Sequence, residues 1–222
     1  MDRPPPSPLL LMLLADARLP TAGHTQSAQL EPATVWGLGV SEVADFIALR
    51  LRTVTRVEAA TAVVAMHHLR AGLDVAEVEA AWAARTPSPA MRATSRQMAR
   101  ALRRLVCRLW PESPHLAVTG PGASRAVVLA VAADSAGLAP RDLAMLVGYD
   151  DVQTVASAAL KLLPLDPADV ACWVLDALAA VDALATEVAP LTLPSAIPAA
   201  GAPQIEAWAE SHAVTSRRLF NA

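Results

Sequence analysis

The sequence predicts an all-α protein, a single-domain bundle of roughly eight to ten helices with a flexible C-terminal tail. The composition is the first reason, since 54% of the 222 residues are apolar and only 4% are aromatic. Alanine and leucine dominate the apolar set, and runs of β-branched residues are short, which favours helix over strand. Apolar residues also recur at helical spacing, in segments that begin at serine or proline and end at glycine or proline.

The first helix is predicted to contain the apolar run Leu9–Leu14. It is expected to stop near Arg18, because Pro20 and Gly23 favour a turn. A second helix is expected to start near Ser27, which is a good N-cap residue. This opening corner brings several kinds of polar side chain together, which suits either a binding site or simple helix capping. Its polar residues are Asp16, His24, Ser27 and Glu31.

The apolar run near the N-terminus also resembles the core of a signal peptide. Asp2 cancels the charge of Arg3, prolines crowd the segment before the run, and the run itself is short. An uncleaved core helix is therefore the preferred interpretation. Since no uncharged apolar stretch reaches the roughly 18 residues that span a bilayer, the sequence predicts a soluble cytoplasmic protein without membrane contact.

Helical spacing predicts that this second helix covers residues 28–38 and that the remaining helices cover residues 41–56, 58–71, 74–85, 90–109, 123–136, 140–163 and 167–188. Residues 58–71 are almost uniformly apolar, which indicates a central buried helix. Arg50 is expected on the exposed side of its helix. Gly148 and Tyr149 are expected to interrupt residues 140–163, and the Tyr149 hydroxyl needs a partner or water.

Residues 90–109 carry five arginines at strict i, i+4 intervals: Arg92, Arg96, Arg100, Arg104 and Arg108. Like charges at this spacing repel, so an acidic group is expected to compensate some of them. Three sources remain open: the acidic second half of this chain, a separate protein, or nucleic acid. The overall net charge of −3 and the absence of interleaved aromatic residues argue against nucleic acid.

The C-terminal part is predicted to form a linker and a tail. Residues 189–203 contain four prolines and have the composition of a linker, which could reach roughly 45 Å if it were polyproline-like. Residues 204–222 keep helical spacing and end in arginines and apolar residues typical of interface anchors. Two arrangements remain open: a tail that docks on a partner, or a terminal helix that folds back on the domain of residues 1–188.

Intrinsic cofactor chemistry is not expected. Cys107 and Cys172 lie far apart in apolar helical patterns and are predicted to be reduced core thiols. The five histidines lack ligand spacing, which predicts no metal site. Gly120-Pro121-Gly122 lacks the lysine and the preceding strand of a phosphate-binding loop.

A hydrolase is the alternative from another functional class. Ser27 would be the nucleophile, His24 the base, and Asp16 or Glu31 the orienting carboxylate. However, no GxSxG-type elbow presents the serine and no glycine-rich oxyanion donor pair is evident. A divergent, free-standing helical scaffold with no partner is the third hypothesis.

The motifs together resemble the family of UreF-type urease accessory proteins, over essentially the whole chain. The opening signature of that family, an apolar helix followed by LADxxLPTGG(F/H)xHSGGLE, is similar to Leu14–Glu31. Later matches follow in the family's order. Ser95–Arg100 resembles part of an arginine-rich helix, and His115, Val118 and Gly120 resemble a loop motif. Ser157–Leu165, which includes Lys161, resembles the SAA segment of the family, and His212 with Arg218-Leu219-Phe220 resembles its C-terminal motif.

The resemblance implies a non-catalytic role. Proteins of this family are all-α, form homodimers, and bridge the accessory protein UreD, also called UreH, to the GTPase UreG, which carries nickel for insertion into apo-urease. The resemblance also implies that the C-terminal tail becomes ordered when it binds the UreD-type protein. On this basis, the predicted partner-binding residues are Asp16, Pro20, Gly23, His24, Ser27, Glu31, Arg96, Arg100, His115, Tyr149, Lys161, His212, Arg218, Leu219 and Phe220.

The chain departs from the family pattern where the family has glycines. Ala22-Gly23 and Ala28-Gln29 replace paired glycines, and Gln26 replaces a histidine. The PLGQ that follows the SAA segment in the family is Pro164-Leu165-Asp166-Pro167 here. Because glycine allows close backbone approach, these changes are expected to alter partner geometry.

Overall fold

A computed structural model describes residues 7–21, 25–117, 119–216 and 218–220. The described residues form α-helices and short 3-10 turns without a β-strand, which confirms the predicted all-α single-domain bundle. The helices are α1 (Ser7–Leu14), α2 (Leu30–Val35), α3 (Val43–Arg52), α4 (Val54–Ala71), α5 (Ala76–Arg85), α6 (Pro89–Leu109), α7 (Arg125–Ser135), α8 (Pro140–Leu162), α9 (Pro167–Val188) and α10 (Pro203–Ala213).

Helix α4 forms the centre of the bundle. It packs against α7 and α8, with α3 and α5 beside it, and α8 packs along α9. Small and β-branched side chains fill α4, so neighbouring helices can approach it on nearly every side. The prediction of a central buried helix is therefore confirmed, although α4 begins at Val54, four residues earlier than residue 58.

Helix α8 is continuous, so the predicted interruption at Gly148 and Tyr149 is wrong. Gly148 is instead a packing position. A Cβ atom built there would lie 3.0 Å from Val181 Cγ1 of α9. The Tyr149 hydroxyl accepts a hydrogen bond from Gln153 Nε2 at 2.9 Å, one helical turn later. Glycine thus permits the close α8–α9 contact rather than breaking the helix.

The two helices of the opening corner are shorter than predicted. Helix α1 ends at Leu14, because the backbone turns at Asp16, whose carboxylate accepts the Arg18 amide at 2.9 Å. Helix α2 begins at Leu30 rather than near Ser27. Helix α1 is a core helix on one face only: Leu14 is buried and Leu10 and Leu11 pack against the core, whereas Leu9 and Met12 are 58% and 69% exposed.

The predicted linker is packed against the domain. Ile197 is buried, and its carbonyl accepts a hydrogen bond from Arg85 Nε at 2.6 Å. Helix α10 then packs on α2 and α6. The structure therefore has the second of the two arrangements, a terminal helix folded back on the domain. The division into domain, linker and docking tail stays a prediction.

Three further sequence expectations concern the side chains. Both cysteines are free, but Cys172 is exposed and Cys107 is only half-buried, so the prediction of two core thiols is wrong. Among the described residues, no group of three histidine, cysteine or acidic side chains is placed to hold a metal ion. None of the helices in the described part of the chain is long and apolar enough to cross a membrane.

Candidate functional site

The carboxylate of Glu31 joins the opening corner to the C-terminal tail. Its Oε2 atom accepts from His212 Nε2 at 3.0 Å and from the Phe220 amide at 2.9 Å. Its Oε1 atom accepts from the Leu219 amide at 2.6 Å. A carboxylate can only accept here, so His212 carries its proton on Nε2. We call Glu31, His212, Leu219 and Phe220 the tail clasp.

The helices place the groups of the tail clasp. Glu31 lies in the first turn of α2 and His212 in the last turn of α10, and the two helices pack against each other. Both side chains are almost fully buried. A buried carboxylate needs several donors to offset its desolvation, and the clasp supplies three. His212 Nδ1 is buried and has no hydrogen-bond partner among the residues that the structure describes.

Phe220 closes one side of a cavity of about 240 Å³. The ring is 4% exposed, and Lys161 Nζ lies 5.2 Å from its centroid, within the range of a cation–π contact. The cavity wall also includes Asp16 and Leu19 of the corner, together with Ser157 of the SAA segment. Three sequence motifs, which lie far apart along the chain, therefore surround one cavity.

Asp16 forms an exposed fork with Arg18. The Arg18 guanidinium donates to both carboxylate oxygens, from Nε at 2.9 and 3.1 Å and from its terminal nitrogen at 2.6 Å. The side-chain hydrogen bond from Arg18, helped by the Arg18 backbone amide, lowers the pKa of Asp16 to about 2. The pair fixes the turn after α1 and leaves Pro20 exposed on it.

The backbone at Ala28 and Gln29 is left-handed, with φ values of 50° and 63°. The family motif has glycines at these two positions. The physical reason is that a left-handed backbone conformation favours glycine over residues with a Cβ atom. Arg50 stabilises the strained turn. One of its terminal nitrogens donates to the Ala28 carbonyl at 2.9 Å and to Gln29 Oε1 at 2.7 Å.

Arg50 is buried at 4% exposure, so its predicted position on an exposed helix face is wrong. It pairs with Asp151 of α8, from Nε to Oδ2 at 3.0 Å and from its other terminal nitrogen to Oδ1 at 2.6 Å. Thr55 donates to the same carboxylate at 2.8 Å. Helical spacing on α3 alone could not reveal this partner, because Asp151 lies 101 residues further along the chain.

Glu58 was not identified from the sequence. It lies on α4, accepts a hydrogen bond from Trp82 Nε1 at 2.6 Å, and lines a second cavity of about 100 Å³. Removal from bulk water raises the pKa of this carboxyl group, against the lowering effect of the Trp82 hydrogen bond. An acidic residue within an apolar helical pattern is the only sequence signal for it.

The first two arginines of the i, i+4 row on α6 bind carbonyls. Arg92 donates from one terminal nitrogen to the carbonyls of Thr86 and Pro87, at 2.6 and 2.8 Å. Arg96 donates to the Gly122 carbonyl at 3.2 Å and lies over the ring of Trp82. Arg100 is exposed.

The loop histidine of the predicted site also has a structural partner. His115 Nε2 lies 2.9 Å from Asp134 Oδ2, and Arg70 Nε donates to Asp134 Oδ1 at 2.6 Å. Asp134 therefore fixes the loop after α6 on α7. His115 is separate from the residues that form the tail clasp.

Some predicted site residues cannot be placed. Gly23, His24 and Val118 lie outside the described residues, as does the departure at Ala22. Arg218 is exposed beside the clasp and Leu219 presents an exposed side chain. The partner-binding role of all fifteen predicted residues stays a prediction.

The hydrolase hypothesis receives no support from the described geometry. Ser27 is fully buried, and its hydroxyl has no partner among the described residues. Glu31 is occupied by the tail clasp and Asp16 by Arg18. A nucleophile must be reachable by substrate, and the burial of Ser27 does not meet this condition. The proposed base, His24, lies outside the described residues.

Comparison with known proteins identifies the family. The UreF family model matches residues 39–179. A protein of Mycobacterium sp. strain JLS is 37% identical, over 95% of this chain and 96% of its own length. A protein of Mycolicibacterium vanbaalenii is 42% identical over 72% of this chain and 76% of its own length. A protein of Mycobacterium tuberculosis is 39% identical over 72% of this chain and 75% of its own length. Each of the three bears the name urease accessory protein UreF. The chain therefore belongs to the UreF family of urease accessory proteins.

Proposed function

We propose that this chain is a non-catalytic chaperone of urease maturation. It bridges a UreD/UreH-type protein and a UreG-type GTPase, as a homodimer, so that nickel is inserted into apo-urease. The observation that carries the proposal is the tail clasp. The opening corner and the tail, which the family resemblance marks as partner-binding, meet at Glu31, and residues of both line one cavity, so we treat them as one docking surface.

The chemistry of this surface suits protein docking. Exposed apolar side chains lie on both of its parts, with Leu9 and Met12 on α1 and Leu219 on the tail. Arg218 and Lys161 add exposed cationic groups beside them. Apolar contact area with arginine at its edge is typical of interfaces that exclude water from a central patch. We assign this surface to the UreD/UreH-type partner.

Rigid packing beneath the surface supports the same role. The Arg50–Asp151 pair holds the backbone of the corner, and Glu31 holds the tail, so the docking groups are ordered before a partner arrives. A preordered surface loses less conformational freedom on binding, which favours affinity. The chain needs no catalytic group of its own for this task.

Capture of the purified UreD/UreH-type protein tests the proposal. The intact chain should bind it, whereas a chain ending at Ser216, which keeps α10 but lacks the last clasp residues, should bind at least about tenfold more weakly. A chain ending at Pro203 should not bind. Glu31→Ala should resemble the Ser216 variant, and Glu77→Ala, an exposed acid on α5, is the matched control. Equal capture by all variants, or none by the intact chain, would overturn the proposal.

A further inference from the structure

Three arginines of α6 have no partner in the described part of the chain. Arg100, Arg104 and Arg108 are exposed, and their guanidinium groups make neither an ion pair nor a hydrogen bond there. We call them the arginine row. They follow one another at i, i+4, so they share one face and span about 12 Å of helix.

The arginine row carries uncompensated like charge. Helix α6 contains no acidic residue, so no acid lies one turn away from these arginines within the helix. Glu112, four residues after Arg108, lies beyond the helix end, and no ion pair joins the two among the described residues. Only Arg108 lies in the last turn, where a cation gains from the helix dipole. Arg100 and Arg104 repel their neighbours without that gain.

The acidic half of the chain does not compensate the arginine row. Five of its carboxylates pair with other arginines: Asp134 with Arg70, Asp150 with Arg125, Asp151 with Arg50, Asp182 with Arg141 and Glu187 with Arg56. None of its other carboxylates forms an ion pair with the arginine row among the described residues. The first of the three sources left open by the sequence therefore supplies no ion pair to the arginine row among the described residues, although Glu210 of the acidic half interacts electrostatically with Arg92. Any acid that pairs with the arginine row therefore comes from outside the described residues, and another molecule can supply it.

An open groove adjoins the arginine row at its C-terminal end. It has a volume of about 480 Å³ and is lined on one side by Leu109, Trp110, Pro111 and Pro114. Leu109 follows Arg108 directly and is 40% exposed. An apolar side chain of a bound partner can enter this groove while carboxylates next to it in the partner face the arginine row.

We propose that the arginine row and this groove bind an acidic segment of another protein, whose carboxylates face the guanidinium groups and whose apolar side chain enters the groove. Guanidinium groups bind carboxylates in a bidentate manner, and the groove adds a desolvated anchor. The inference rests on the proposed function for the identity of the protein, which is one of the partners that the chain assembles.

Charge balance favours a protein over nucleic acid. The chain has 21 acidic residues against 18 basic ones, so its remaining surface repels a phosphate backbone. The polar side of the groove consists of Glu112, Ser113, His115, Asp134 and Ser135. Asp134 is already paired with Arg70 and His115, and the carboxylate of Glu112 repels phosphate. No aromatic side chain interleaves the row for base stacking.

The test measures binding of the intact chain to each purified partner: the UreD/UreH-type protein, the UreG-type GTPase and apo-urease. Arg104→Glu is compared with Arg52→Glu, a matched exposed arginine on α3 without an ion pair in the described residues. For one partner, Arg104→Glu should weaken binding at least about fivefold, and the triple variant R100E/R104E/R108E should abolish it. Arg52→Glu should stay within about twofold.

The salt dependence of binding is an independent test of the inference. Binding of the intact chain to that partner should weaken between about 50 and 300 mM salt, because exposed charges are screened over shorter distances. A neutral variant, R100Q/R104Q/R108Q, should show less salt dependence. Thermal unfolding of each variant near the wild-type midpoint shows that it is folded, as expected for exposed positions.

The outcomes separate the two proposals. Equal binding of every partner by the intact chain and the triple variant overturns this inference and leaves the proposed function standing. Failure of the intact chain to bind any partner overturns both. Tighter binding of a fluorescent DNA duplex than of the proteins, lost in the triple variant, would assign the arginine row to nucleic acid and overturn the inference.

Discussion

The carboxylate of Glu31 accepts a hydrogen bond from the backbone amide of Phe220 at 2.9 Å, across 189 residues of sequence. With the bonds from His212 and Leu219, this contact fixes the tail against the corner. It thereby joins the corner and the tail, which lie at opposite ends of the sequence.

Glu31→Ala should lower the free energy of unfolding by about 2 to 3 kcal/mol. The reason is that two backbone amides and the His212 ring lose a charged acceptor in a buried setting. Urea unfolding followed by circular dichroism measures this change. Glu77→Ala should stay within about 0.5 kcal/mol, because Glu77 is exposed. An equal loss in the two variants would contradict the importance of the clasp.

Arg50→Lys should lower the free energy of unfolding by about 2 to 4 kcal/mol. Arginine spans Asp151 with two nitrogens and reaches the Ala28 carbonyl with a third, whereas the lysine ammonium is a single point of charge. Arg52→Lys, at an exposed position two residues away, is the control. Similar stabilities of the two variants would show that the Arg50 fork is not needed.

Ala28→Gly tests the left-handed turn. Glycine relieves a φ of 50°, which offsets the loss of the buried methyl group, so the variant should be at least as stable as the wild type. Ala33→Gly, at a buried helical alanine of α2, should lose about 1 kcal/mol. Thermal unfolding gives both values. Equal destabilisation by the two substitutions would argue against strain at Ala28.

Glu58→Gln should stabilise the protein at neutral pH. Burial raises the folded-state pKa of Glu58, so the folded state binds a proton more tightly than the unfolded state. The contribution of Glu58 to the free energy of unfolding is therefore fully present below its unfolded-state pKa of about 4.3. This contribution is lost as the pH rises through the raised folded-state pKa. Glutamine keeps an acceptor for Trp82 and has no charge to bury.

The Glu58→Gln measurement compares urea unfolding at about pH 4.5 and pH 8. The advantage of the variant over wild type should grow between the two pH values. Glu77→Gln, on an exposed acid, should show no such growth. An advantage that is constant with pH would show that Glu58 does not titrate as proposed.

Ser27→Ala separates the chaperone from the hydrolase hypothesis. The Ser27 hydroxyl is buried without a described partner, so its removal should leave the free energy of unfolding unchanged or raise it by about 1 kcal/mol. Capture of the UreD/UreH-type protein should also be unchanged. Esterase activity that is present in the intact chain and absent from this variant would support the hydrolase instead.

The long helices could be predicted from the sequence because their ends carry local signals. Helices α6, α8 and α9 each begin at a proline in the first helical turn, and the predicted bounds differ from the observed ones by at most one residue. The prediction failed at Gly148, where glycine serves close packing on Val181 rather than a break. Local spacing cannot distinguish these two uses of glycine.

The candidate site was predictable in its residues but not in its contacts. The family resemblance selected Glu31, His212 and Phe220, yet no local pattern indicates that they touch. Arg50 shows the same limit, because its burial depends on Asp151, which helical spacing on α3 cannot reveal. Such long-range pairs depend on the packing of α2, α8 and α10, which only the tertiary structure displays.

The bridging role is tested most directly by the mass of the complex that the UreD/UreH-type protein and the UreG-type GTPase form with and without this chain. Size-exclusion chromatography with light scattering should give one complex containing all three proteins when the chain is present. Without the chain, or with the variant ending at Ser216, the other two should elute separately. A complex of those two that forms equally well without the chain would contradict the bridging role.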